Sequence, residues 1–175
     1  MNEGLPYDRE RVAVRDLQAL VADRAEAEVR IIGRDPGPDV TALGAIPGVR
    51  VCANVPDVRP YLEEASALVV PLDVGGGTRL KILEAFAAGL PVVSTPVGCE
   101  GLGVIDGTHL LVADADRVGD AVVRLLDEPG LGVRLAAHAR QLAADTYDWD
   151  AVGRAAARAI AGIIRNQGYR TAAAE

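Results

Sequence analysis

Aromatic residues are scarce in this sequence, and their scarcity limits how its core can be built. Tryptophan, tyrosine and phenylalanine make up 3% of the 175 residues, whereas hydrophobic residues as a whole make up 50%. The core must therefore be built from alanine, valine, leucine and isoleucine, which suits a parallel sheet buried on both faces. A chain of this length can bury a sizeable core, and we expect residues 1–175 to form a single domain.

Cysteines are also few, and their positions argue against two kinds of site. The chain has two, Cys52 and Cys99, which form no CxxC pair and have no metal-site spacing. We expect reduced thiols that act as small apolar residues, and we expect no bound metal.

Positive charge is scarce and long apolar runs are missing. The chain has 18 basic against 25 acidic residues, a net charge of −7, and such a chain gains nothing from counterion release on nucleic acid. No apolar run reaches the roughly 18 residues of a spanning helix, and residues 1–11 do not read as a signal peptide. We expect a cytoplasmic protein that binds neither nucleic acid nor a membrane surface.

Short β-branched runs alternate along the chain with segments of helical periodicity. This order predicts an α/β fold, a Rossmann-like parallel sheet with helices on both faces. Domains of this kind usually open with a strand, whereas this chain opens with a helix, so we expect the first strand to be missing or to belong to another chain. The predicted strands cover residues 29–32, 49–52, 67–72, 92–94 and 109–112, and the predicted helices cover residues 8–25, 39–45, 55–64, 78–88, 114–126, 131–147 and 148–165.

A glycine triplet follows the third predicted strand and precedes a helix. In doubly wound sheets, ligands bind at the carboxyl ends of strands, where a glycine-rich turn meets a helix N-terminus. Glycines let backbone N–H groups approach an anion closely, and a threonine is a natural N-cap. The residues predicted to bind the anion are Gly75, Gly76, Gly77 and, as the N-cap, Thr78.

Two cations and a carboxylate lie in the helix that follows. Arg79 and Lys81 fall in its first turn, where each should cost about 0.3–1 kcal/mol against the helix dipole unless an anion such as a diphosphate is bound. Glu84 lies three residues after Lys81 on the same face, where its carboxylate can accept two hydrogen bonds from a ribose diol. A glycine turn with solvated cations and an ordinary Lys81–Glu84 surface pair would give the same pattern, so both alternatives stay open.

Two familiar phosphate-binding motifs do not fit this segment. A P-loop requires a Gly-Lys pair, and no such pair occurs in the chain. The dinucleotide fingerprint GxGxxG requires a third glycine where Leu80 stands.

The run GGGTRLKILEAFAAGLPVVSTPVGCEGL, residues 75–102, resembles the donor-site signature of retaining GT-B glycosyltransferases of family 4. The resemblance covers most of residues 28–160. It implies a two-domain enzyme whose C-terminal half binds a nucleotide-diphosphate sugar as substrate, without a cofactor or a metal. In this family the residue that matches Glu84 binds the ribose, the loop that matches Gly75–Thr78 lies against the diphosphate and sugar, and backbone near Val55 meets the base.

The sequence departs from the family pattern in two places. The first carboxylate of the family's Glu-x7-Glu pair would fall at Gly76, and the cations that often follow the first strand of this half are missing or altered. Arg79 and Lys81 are therefore the predicted catalytic cations, because preorganised positive charge stabilises a leaving diphosphate. The acceptor-binding half is absent from this chain, so it should bind donor yet transfer poorly unless that half is supplied in cis or as a separate subunit.

The sequence also fits two other functions. A non-catalytic nucleotide-sugar-binding or interaction subunit derived from such an enzyme is the main alternative, and a sugar-nucleotide epimerase is a weaker one.

The Asp-x-Asp pairs at 114–116 and 148–150 are predicted to cap helices and not to bind a metal. His109 and His138 are expected to be structural, and Glu100 is a minor catalytic candidate.

Overall fold

The computed structural model describes residues 27–75 and 77–172, with side chains for all of these except Pro129 and residues 165–172. The predicted helix over residues 8–25 and the predicted site residue Gly76 lie outside the described residues. The described strands are β1 (Val29–Gly33), β2 (Val49–Ala53), β3 (Leu68–Val70), β4 (Val92–Ser94) and β5 (Leu111–Val112). The α-helices are α1 (Pro38–Ala42), α2 (Arg59–Glu64), α3 (Leu80–Ala88), α4 (Val118–Asp127), α5 (Pro129–Leu142) and α6 (Trp149–Ala172), with a 3-10 turn at Leu43–Ala45 and a π-helical turn at Ala143–Tyr147.

All strand pairs among the described residues are parallel, as the alternating order predicts. The strands form two sheets, β1-β2 and β3-β4-β5, with Ile31 opposite Val51 in the first and Val69 opposite Val93 in the second. The α/β fold with parallel strands and helices on both sides is therefore confirmed. Its strands are divided between two hydrogen-bonded groups within the part of the chain that the structure describes.

The core lies on both faces of β4, whose three residues are all buried. Val92 packs in one cluster with Ile82 and Phe86 of α3. Val93, which points to the opposite face, packs in a second cluster formed by residues of α4 and α5. Complete burial of such a side chain stabilises the fold by about 1.5–3 kcal/mol, so the first cluster holds α3 firmly against β4.

Three predicted helix starts are wrong. The helix predicted from residue 55 begins at Arg59. The prediction that Thr78 is the N-cap of α3 fails, because the helix begins at Leu80 with Arg79 at the cap position and no side-chain cap. The Thr78 carbonyl instead accepts the Leu80 N–H at 2.8 Å. Likewise α4 begins at Val118 and not at residue 114, because a turn in which the Arg117 N–H donates to the Asp114 carbonyl precedes it.

Other helix ends follow local sequence signals. Gly89 ends α3 in the left-handed conformation, with φ of 73°, which glycine adopts without steric cost. The Asp148 carboxylate accepts the Asp150 N–H at 2.9 Å and so caps α6 as predicted. None of the helices that the structure describes has the length and apolar content required to cross a bilayer.

Candidate functional site

The loops that follow β3 and β4 meet at the carboxyl ends of these neighbouring strands. Thr95 comes directly after β4 and is 2% exposed. Its backbone N–H donates to the Val70 carbonyl at 3.1 Å, its hydroxyl donates to the Leu72 carbonyl, and the same oxygen accepts the Gly98 N–H at 3.1 Å. One buried threonine thus connects the ends of two strands with the loop after the second.

Arg79 makes a second connection between the same two loops. Its side chain is 7% exposed, and one terminal nitrogen donates to the Gly75 carbonyl at 3.1 Å and to the Val97 carbonyl at 2.7 Å. That nitrogen also lies 3.7 Å from a carboxylate oxygen of Glu100, which is itself 74% exposed. The predicted catalytic cation Arg79 therefore lies behind residues 75–78 (the glycine loop), and its guanidinium donates to backbone carbonyls.

Lys81 and Glu84 lie together on the solvent side of α3. Both side chains are exposed, whereas Ile82, Ala85 and Phe86 on the opposite side are buried. No ion pair joins Lys81 to Glu84 in the described structure, so the surface pair that the sequence left open is not formed. The cation and the carboxylate therefore lie on the same exposed side of α3 without forming an ion pair with each other.

The glycine loop leads into this face of α3. Gly75, Gly77 and Thr78 are exposed, and Gly77 has a φ of 88°, a conformation that L side chains rarely adopt. Sequence reasoning missed two neighbours, Val74 and Leu80, which are 66% and 60% exposed. Their signal was an apolar residue on either side of a glycine turn, and they offer apolar contact surface beside the loop.

Val55 is placed by a different sheet from the other predicted site residues. It is half-buried in the loop after β2. The residue before it, Asn54, has a positive φ of 53°, and its side-chain oxygen accepts the Asp35 N–H at 2.8 Å. This bond joins the loops after β1 and β2, and it fixes the backbone from which Val55 follows.

Two open cavities of the described structure lie elsewhere. One, of about 380 Å³, is lined by residues that include Pro96, Asp114 and Arg117, and another, of about 430 Å³, includes Arg30 and Tyr61. Lys81 and Glu84, both exposed, line neither of these two cavities.

Two other titratable side chains, those of His109 and Cys99, lie in surroundings that favour their neutral forms. The Nδ1 atom of His109 accepts the Ile105 N–H at 2.9 Å, and burial, with a smaller contribution from His138, lowers the pKa of its imidazole. Burial raises the pKa of the Cys99 thiol. Among the residues that the structure describes, no group of three or more His, Cys, Asp or Glu is arranged to hold a metal ion.

Comparison with known proteins places this geometry in a family context. A family model described as "Glycosyl transferases group 1" matches residues 4–128. The D-inositol 3-phosphate glycosyltransferase of Frankia alni is 42% identical over 101 residues, which are 56% of this chain and 24% of that protein. The chain spans about a quarter of the length of the curated relatives it matches.

Two solved structures share the fold. The C-terminal domain of a glycosyl transferase group 1 family protein, LpcC of Francisella tularensis, superposes with a TM-score of 0.67 at 15% identity, covering 81% of this chain and 82% of that one. Anabaena HepE in complex with UDP superposes with a TM-score of 0.70 at 15% identity, covering 85% of this chain and 44% of that one.

Proposed function

Because the chain belongs to the glycosyl transferases group 1 family, we propose that it is the donor-binding half of a retaining GT-B glycosyltransferase of family 4. In this proposal it binds a nucleotide-diphosphate sugar and presents the sugar to an acceptor held by a second half. UDP binding by the structural neighbour HepE and the similarity to an isolated C-terminal domain support this assignment.

One observation carries the proposal: Lys81 and Glu84 share the exposed side of α3, beside the glycine loop, without pairing with each other in the described structure. A cation in the first turn of a helix opposes the helix dipole by about 0.3–1 kcal/mol. A diphosphate at the same place would reverse that sign, since backbone N–H groups at a helix N-terminus attract anions. An anionic ligand at this position would therefore make the charge of Lys81 favourable for the fold.

Each predicted site residue then has a defined part. The loop from Gly75 to Thr78 lies against the diphosphate and the sugar, and Lys81 neutralises charge on the leaving diphosphate. Glu84 accepts hydrogen bonds from the ribose hydroxyls, and the backbone at Val55 meets the base. Arg79, the second predicted catalytic cation, contributes its charge from behind the loop. Such cations accelerate transfer because they are already in place when charge develops on the leaving group.

The exposure of Lys81 and Glu84 fits an enzyme whose cleft is built from two halves. Proximity catalysis requires donor and acceptor in one cleft, and a donor half on its own displays its part of that cleft to solvent. We propose that an acceptor-binding half, in the same polypeptide or as a separate subunit, completes the site in the cytoplasm. The donor itself is a substrate, so the proposal includes no cofactor and no metal.

Ligand-dependent thermal unfolding tests the proposal directly. At UDP or GDP concentrations near 100 times Kd, binding stabilises the fold by about 2.7 kcal/mol, which raises Tm by about 5–10 °C for a domain of this size. Uridine and guanosine, which lack phosphate, serve as matched controls and should shift Tm much less. If no nucleoside diphosphate, with ADP, CDP and TDP included in the screen, shifts Tm at millimolar concentration, the donor-binding proposal is wrong.

The alternative function is a non-catalytic interaction subunit that retains nucleotide-sugar binding. The observation that favours it is α6, on which the apolar side chains of Val152, Ile160 and Ile163 are 43%, 58% and 59% exposed. Such a surface on a long helix fits a protein partner. Turnover of a UDP-sugar after addition of an acceptor-binding half supports the enzyme, whereas nucleotide affinity without turnover supports the interaction subunit.

A further inference from the structure

Arg79 is the more deeply buried of the two predicted site cations, and its side chain donates to two backbone carbonyls. Among the described residues, its side chain reaches the Gly75 carbonyl in the loop after β3 and the Val97 carbonyl in the loop after β4. Val97 lies 18 residues further along the chain. One side chain thus spans two loops that belong to different strand-to-helix connections.

The hydrogen bond to Val97 also orients the next amide. The Val97 carbonyl and the Gly98 N–H belong to one planar peptide unit, so a donor that holds the carbonyl fixes the direction of the N–H. That N–H donates to the Thr95 hydroxyl, which in turn donates to the Leu72 carbonyl. Arg79 and Thr95 therefore hold the two loops from opposite sides of the same peptide.

The ion pair with Glu100 is the weaker of these contacts. Its nitrogen–oxygen distance is 3.7 Å and the carboxylate is 74% exposed, and pairs with such exposed partners contribute little to stability. The two carbonyl bonds are partly buried, and leaving their acceptors without a donor costs more.

We propose that Arg79 is a positioning residue that joins the glycine loop and the loop after β4 into one preformed surface for the donor diphosphate. This inference rests on the proposed donor site. Its role is carried by the geometry of the guanidinium and not by its charge alone. A preformed surface binds its ligand without the entropic cost of ordering the two loops. The affinity for the diphosphate therefore depends on the hydrogen bonds by which Arg79 connects these loops. Lysine keeps the charge but presents a compact ammonium on a flexible stem, which does not reproduce this arrangement.

Isothermal titration of UDP into the full chain tests the proposal. Arg79→Lys is expected to weaken UDP binding at least ten-fold although the positive charge is retained, and Glu100→Gln is expected to stay within two-fold of the parent. Arg117→Lys, at an arginine that is 72% exposed and lies outside the glycine loop, is the matched control and should bind UDP normally. Unchanged UDP affinity in Arg79→Lys overturns the proposal.

Hydrogen exchange supplies a readout that does not depend on the variant's affinity. In the parent chain, amides 98–100, which donate hydrogen bonds within the loop after β4, should be protected before UDP is added and should change little on binding. In Arg79→Lys these amides should exchange faster, while the amides of β4 remain protected. Protection of amides 98–100 only after UDP addition overturns the idea of a preformed surface, as does faster exchange in Arg79→Lys spread over the whole chain.

The two proposals fail in different ways. A parent chain that binds no nucleoside diphosphate rules out the donor site, whatever Arg79 does. A parent chain that binds UDP, together with an Arg79→Lys variant that binds it equally well, rules out only the positioning role.

Discussion

A β-carbon at position 98 would stand 2.7 Å from the carbonyl oxygen of Val70. Gly98 therefore allows the loop after β4 to lie directly on the end of β3, at a distance that no residue with a side chain can match. The same β-carbon would also meet the Ser94 hydroxyl. The close approach of these two connections, on which the candidate site depends, is therefore possible because Gly98 has no side chain.

Gly98→Ala should destabilise the fold. Overpacking of a well-filled site typically costs about 1–3 kcal/mol, and we expect the upper end because one of the obstructing atoms is backbone of a core strand. Urea unfolding followed by circular dichroism measures the change. Gly153→Ala is the matched control, since its added methyl group meets nothing within 4 Å and alanine should stabilise an exposed helix by about 0.5–1 kcal/mol. Equal stability of the two variants would contradict the packing argument.

Thr95→Val should remove the buried hydroxyl that connects both loops. The substitution leaves the Leu72 carbonyl without its donor and the Gly98 N–H without its acceptor, and a buried unsatisfied group costs about 1–3 kcal/mol. Thr95→Ser keeps the hydroxyl and should lose less than half as much in urea unfolding. A valine variant as stable as the serine variant would show that the hydroxyl is not needed.

Glu84→Gln should weaken nucleotide binding and leave the fold unchanged. Hydrogen bonds to a charged group contribute about 1.5–3 kcal/mol, so we expect UDP affinity to fall by about ten- to a hundred-fold in isothermal titration. Glu63→Gln, at another exposed glutamate on α2, removes the same charge elsewhere and should bind UDP normally. A loss of affinity shared by both variants would point to net charge and not to a ribose contact.

His109 should make the fold less stable in mild acid. Burial lowers the pKa of its imidazole, and the Nδ1 atom accepts the Ile105 N–H, which only the neutral ring can do. The unfolded chain therefore takes up the proton first, at its ordinary pKa of about 6.5. Stability falls as pH drops from that value toward the lowered pKa of the folded state.

Unfolding free energies at pH 7.5 and 5.5 check the sign of this effect. The parent chain should lose more stability than His109→Gln over this interval, because the variant has no imidazole to protonate. An equal or smaller loss in the parent chain would mean that the His109 pKa is not lowered in the folded state.

Local sequence patterns were sufficient to find most of the elements. Residues 92–94 were predicted as a strand and form β4 without any shift of boundary, because a short apolar run followed by a proline and a glycine has few other solutions in an α/β chain. The end of α3 at Gly89 was equally predictable, since a left-handed residue at a helix end favours glycine.

Two of the wrong helix starts have a common cause. Thr78 and Asp114 carry ordinary capping side chains, and each stands a little upstream of the helix that it was predicted to cap. In both cases a short backbone turn delays the start of the helix. A capping preference of about 1 kcal/mol is smaller than the packing of α3 and α4 against β4, so tertiary contacts set the register.

Residue order and side-chain chemistry were enough to establish a parallel α/β fold and to locate a glycine turn, a cation and a carboxylate at one helix start, since these features depend on neighbours a few positions apart. Only the tertiary structure determines which of the two cations is exposed to solvent. Lys81 is exposed, whereas Arg79 is buried against Gly75 and Val97. That distinction comes from a hydrogen bond between residues 18 positions apart, which no local pattern encodes.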